Sequence, residues 1–136
     1  MDRAAIGSNS AYLPLERVLE GLGIEVDLPE YLPHRFEFLF IEPDEPTEYA
    51  PVTSWFGGGD DIFHIRVKRI SIDQTVSASE RNDDAPAEPY KGKYDFFIQS
   101  NIDRMLATWH QDNTYELSIH GNITHDELLQ ILNSIK

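Results

Sequence analysis

The last third of the chain, from Arg104 to Lys136, constrains the fold most. Two β-branched and aromatic runs, 105–110 and 114–119, meet at Asp112-Asn113, a pair that tolerates positive φ, so a tight β-hairpin is predicted there. Thr124 and Glu127 follow at the T-x-x-E spacing of a capping box. Leu128, Leu129, Ile131, Leu132 and Ile135 then form one apolar stripe, which needs a sheet to bury it.

Upstream, Phe36, Phe38 and Phe40 alternate with Glu37 and Leu39 over 35–42, the period of a strand with one aromatic face. A second strand is read over 49–56, weakened or bulged near Pro51, and Gly57-Gly-Gly-Asp-Asp61 supplies a reversal. Phe63, Ile65 and Val67 alternate with His64, Arg66 and Lys68 in a half-buried strand, and strand character resumes over 94–99. Near the start, Leu15, Val18, Leu19 and Leu22 stand at helical spacing, with Pro14 in the first turn and Gly23 as the C-terminal cap. Pro29 and Pro33 then forbid helix and deliver the chain to the sheet.

These elements predict an α+β fold: one antiparallel, curved sheet of five or six strands, with an N-terminal and a C-terminal helix packed on one face. Residues 1–12 are expected to be a flexible N-terminal segment. Residues 13–136 form one domain, with a mobile loop at 73–90, where Ser, Asp, Asn, Ala and Pro replace the apolar period.

A chain of 136 residues can bury a core without disulfides or a structural metal. Lys and Arg number 11 against 24 Asp and Glu, a net charge of −13, which excludes nucleic acid as a partner and disfavours an anionic membrane surface. The absence of cysteine removes thiolate chemistry and Cys-based metal sites. The first ten residues lack the basic start and apolar run of a secretory signal.

No motif supplies a catalytic constellation. Of His34, His64, His110, His120 and His125, none stands at a zinc-binding spacing, and only His120 and His125 are near enough in sequence to converge across a turn. Asp60-Asp61 and the cluster of Glu42, Asp44 and Glu45 lack a calcium-loop spacing and are read as turn chemistry. Gly57-Gly-Gly59 precedes a strand rather than a helix and is followed by no Lys-Ser/Thr, so it is not a phosphate loop. Neither metal nor cofactor is implied. Phe36, Phe38, Phe40, Trp55 and Trp109 are the candidate ligand-binding residues, since an apolar cleft needs such side chains, although strands beneath two helices need them equally for burial.

Leu28-Pro-Glu-Tyr-Leu-Pro33, the strand 62–72, Leu106-x-x-Trp109 with Tyr115-Glu-Leu, and Glu127-Leu-Leu-x-Ile-x-x-Ser134-Ile together resemble a bacterial domain-of-unknown-function family that recurs in Firmicutes. The resemblance spans about residues 25–136 and rests on structural motifs, so it carries over no catalytic residue. Members of that family are typically the C-terminal, extracytoplasmic part of single-pass membrane proteins. Some resemble anti-sigma factors, and the family is distantly similar to lipoprotein-carrier and sigma-regulator sensor domains. The chain departs from that pattern by its polar stretch at 73–89 and by having no membrane span of its own. The resemblance implies a non-enzymatic extracytoplasmic sensor or interaction domain anchored by an upstream segment, with a protein or an apolar ligand as partner. The alternative is a lipid or acyl-chain carrier.

Overall fold

The computed structural model describes residues 3–70, 87–101 and 103–135. Helix α1 (Arg3–Gly21) precedes strands β1 (Glu37–Glu42), β2 (Val52–Gly58), β3 (Asp61–Arg69), β4 (Glu88–Lys91), β5 (Asp95–Ser100), β6 (Met105–Gln111) and β7 (Tyr115–Gly121), and helix α2 (His125–Asn133) closes the chain. The strands form one antiparallel sheet in the order β1-β2-β3-β7-β6-β5-β4. Two meanders, β1–β3 and β4–β7, are thus joined by pairing β3 with β7.

The α+β class and the single antiparallel sheet are as expected, but the strand count of five or six is corrected to seven among the described residues. The additional strand is β4, which begins within the stretch read as a loop at 73–90. Its Pro89 and polar flank hide it, yet proline is tolerated there because an edge strand needs no outward amide. Residues 71–86 of that expected loop lie outside the described residues. Helix α1 also starts earlier than the periodicity indicated, at Arg3, within the segment 1–12 expected to be flexible. Ala4 and Ala5 favour a helix, and Pro14 sits inside it rather than in its first turn.

Alternation assigns the two faces of the sheet. Val52, Phe56, Phe63, Ile65, Val67, Ala107, Trp109, Leu117 and Ile119 join Leu15 and Leu19 of α1 and Leu128, Ile131 and Leu132 of α2 in one buried cluster. Both helices therefore contribute to a single core. Aromatic contacts lock it: Phe56 stacks on Phe63 at 5.0 Å between centroids, and Tyr12 of α1 meets Phe56 edge-on at 5.2 Å.

The ends of the helices carry the caps their sequence encodes. At the end of α1, Gly23 adopts φ +76°, the Gly23 amide donates to Glu20 O and the Ile24 amide to Leu19 O, the two bonds of a Schellman cap. At α2 the Glu127 amide donates to Thr124 Oγ1 (3.0 Å), and the Thr124 amide donates to Glu127 Oε1 (2.9 Å). Asp112 and Asn113 both take positive φ in the β6–β7 turn, which the Thr114 amide closes by donating to Gln111 O. The segment between α1 and β1 is pinned by side chains: the Tyr12 hydroxyl donates to Tyr31 O, and Ser134 Oγ accepts from the amides of Glu30 and Tyr31.

At the β3–β7 junction Gly121 pairs with Phe63 at φ +155°, and a Cβ there would lie 2.3 Å from Ile62 O and 2.4 Å from Phe63 Cα. Both are backbone atoms that cannot move alone. Gly121→Ala is therefore expected to destabilise the domain by about 2 kcal/mol or more. Gly23→Ala, which meets nothing within 4 Å, should cost about 1 kcal/mol. Denaturant midpoints of the two variants check the order, and equal losses would contradict a tight junction.

Candidate functional site

On the face turned away from the helices, the register lines up one side chain from each of six strands. Phe40, Trp55, His64, His120, Leu106 and Gln99 are successive cross-strand partners from β1 to β5. A parallel row runs through Glu42, Thr53, Arg66, Ser118, Thr108 and Phe97. Phe40 stacks on Trp55 at 6.1 Å, Trp55 lies 4.7 Å from His64, and His64 meets His120 edge-on at 5.7 Å. The Trp55 indole donates to Glu42 Oε1 at 2.9 Å, and Arg66 Nε donates to Thr53 Oγ1 at 3.3 Å.

His64 is buried at the centre of the first row, and its Nε2 has no hydrogen-bond partner among the described residues. Burial first, then the charge of Arg66 and the neighbouring His120, push its pKa down to about 4. It is neutral at physiological pH, held as an uncharged ring between Trp55 and His120.

The five candidate ligand-binding residues do not share a cleft. Phe36 and Trp109 are buried in the core, each edge-on to another ring: Phe36 to Phe63 at 4.8 Å and Trp109 to Phe96 at 5.1 Å. Phe38 is half-buried on the same side against Phe56. Only Phe40 and Trp55 come together on the opposite face. A β-bulge between Phe38 and Phe40 separates them, inserting Leu39 and shifting every later residue of β1 to the other face. A strict alternation of three phenylalanines concealed it.

The bulge also builds an exposed apolar corner. Leu39, Phe40 and Ile62 are 45%, 47% and 39% exposed and lie together. Leu39 rests over Gly57, which pairs with Ile62. Beside them a depression of about 460 Å³ is lined by Glu37, Leu39, Gly57, Gly58, Gly59, Asp60, Asp61 and Ile62.

Arg35, just before β1, is committed to several partners. Arg35 donates to both carboxylate oxygens of Glu127 (2.8 and 2.9 Å), to Asp61 and to Asn122 O, and lies over the Phe36 ring. The same Glu127 completes the α2 capping box, and Arg35 holds its carboxyl below the usual range.

A second cavity, of about 450 Å³, lies where α1 ends, beside the β6–β7 turn, and is rimmed by Glu16, Glu20, Glu25, Asp27 and Asp112. Hydrogen bonds and an ion pair tie its walls together. Gln111 both donates to Asp27 O and accepts from the Asp27 amide, while the Asp27 carboxylate is held down by Lys93 and by the Tyr94 hydroxyl. Among the described residues no three His, Asp or Glu side chains converge to hold a metal ion. The convergent histidines are His64 and His120, not His120 and His125. Their approach follows from the β3–β7 register, which sequence spacing does not report.

Compared with known proteins, the chain matches no family model, no curated protein and no solved structure. Its geometry is what carries a functional reading.

Two titrations test this site. An NMR titration should give His64 a midpoint near 4, with stability falling as pH drops from about 6.5 towards 4, because only the unfolded chain takes up that proton. A midpoint near 6.5 would contradict the buried ring. Glu127→Gln keeps the capping geometry and removes the charge. It should cost about 0.5–1 kcal/mol at pH 7, modest because Arg35 is partly exposed. The depressed carboxyl loses its contribution as pH falls through its folded pKa, so melting curves of variant and wild type should converge in acid.

Proposed function

We propose that this chain is a non-enzymatic interaction domain whose contact surface is the apolar corner at Leu39, Phe40 and Ile62. The observation that carries this reading is their exposure side by side on a rigid sheet in a chain of net charge −13. Isolated exposed apolar residues are ordinary, whereas a contiguous group with an acidic rim suits a partner that covers it. The charge argues against nucleic acid and in favour of a protein. The family resemblance supports placing the domain outside the cytoplasm, held to a membrane by a segment upstream, as the sensing or docking part of a regulator.

The carrier alternative draws less support. The layer between sheet and helices is filled by Phe36, Phe56, Phe63 and Trp109, where an acyl chain would need room.

In the full-length protein in its own host, a photo-crosslinking benzoylphenylalanine at position 40 or 62 should give a discrete adduct with another protein. The same group at position 16, on α1, should give none. Equal labelling from all three positions would sink the proposal. Native mass spectrometry of the purified protein should show no retained apolar mass. A discrete lipid adduct would promote the carrier reading in its place.

A further inference from the structure

The edge of β1 offers more than an apolar patch. Among the described residues no strand pairs with β1 on its far side, so a six-residue row of backbone donors and acceptors ends the sheet there. The opposite edge, β4, has four residues and loses a donor at Pro89. β1 has no proline within it and no lysine to blunt it.

The bulge determines what this edge presents. Glu37, opposite Gly57, Phe40, opposite Trp55, and Glu42, opposite Thr53, all lie on the face away from the helices, with Leu39 beside Phe40 over Gly57. Along that face the edge therefore reads acidic, apolar, acidic. A regular strand laid against it places every second side chain on the same face, so its complement is basic at one position, apolar two further on and basic again after two more. Arg35, at the entrance to β1, is already held by Glu127 and Asp61.

The same pattern argues against a second copy of this chain. Two-fold antiparallel pairing of β1 with itself sets Glu37 opposite Glu42 at both ends of the ladder, like charges face to face between two chains of charge −13 each.

We infer that β1 is an acceptor edge for an extended segment of a partner protein, which adds as an eighth antiparallel or parallel strand and carries Lys or Arg on either side of an apolar residue at period two. Backbone pairing supplies the attachment, and Glu37, Phe40 and Glu42 supply the selectivity. The inference rests on the interaction reading above and names the partner's chemistry.

A phage-displayed random dodecapeptide library, panned on the whole domain and counter-selected on the Leu39→Asp/Phe40→Asp variant, tests it. Both substitutions are on exposed side chains, and an unchanged thermal midpoint shows that the variant is folded. Enriched peptides should carry the basic-x-apolar-x-basic pattern. The best of them, synthesised, should slow amide exchange at 37–42 and bind the double variant at least about tenfold more weakly, as should Glu37→Lys/Glu42→Lys. Enriched peptides without basic residues, or exchange protection that avoids 37–42, would overturn the inference. So would a concentration-dependent dimer of the wild type that the double variant abolishes. If position 40 still crosslinks to a protein in the host, strand addition alone falls. If crosslinking is absent as well, the interaction reading falls with it.

Discussion

The pairing of β3 with β7 is the constraint on which the rest of the molecule depends. It runs through seven residue pairs, from Phe63 with Gly121 to Arg69 with Tyr115, and joins strands far apart in sequence. Closing so long a loop is entropically unfavourable, and what offsets it is burial on one face, where Ile65 meets Ile119 and Val67 meets Leu117 beneath the helices. Neither meander alone spans the apolar stripes of both helices. The same ladder places His64 beside His120 on the other face, so core and polar row are two consequences of one register.

Around this ladder the chain uses its few cations as ties. Arg35 links the entrance to β1, the β2–β3 turn and the start of α2. Lys93 and Tyr94 hold Asp27, whose backbone Gln111 clasps from the hairpin. Arg69 approaches Glu48, and Lys91 lies beside Asp95. With these cations paired internally, the surplus of carboxylates dominates the field at the surface. A partner with basic residues gains from that field, and an acidic one is repelled.

Local signals were legible where a short stretch determines its own geometry. The Thr124–Glu127 box, the Asp112-Asn113 turn and the Gly23 cap involve atoms within a few residues of one another, so their chemistry is written in adjacent side chains. The alternation of Phe63, Ile65 and Val67 likewise announced its own buried face. Signals failed where the local pattern misled. β4 hides behind Pro89, because tolerance of proline depends on a strand's being at an edge. Phe40 reads as a third member of an aromatic face until the bulge at Leu39 turns it over.

The sequence by itself thus determined the α+β class, the helix caps, the hairpin and the acidic character, because each depends on periodicity, on neighbours along the chain or on a sum over residues. Only the tertiary structure decided that Phe36 and Trp109 are core, that Phe40 and Trp55 stack together outside it, that His64 meets His120, and that β1 is the outermost of the described strands. Those facts depend on which strand lies beside which and in what register. That choice is made by the burial of one whole face against two helices, an energy spread over dozens of residues that no short stretch of sequence contains.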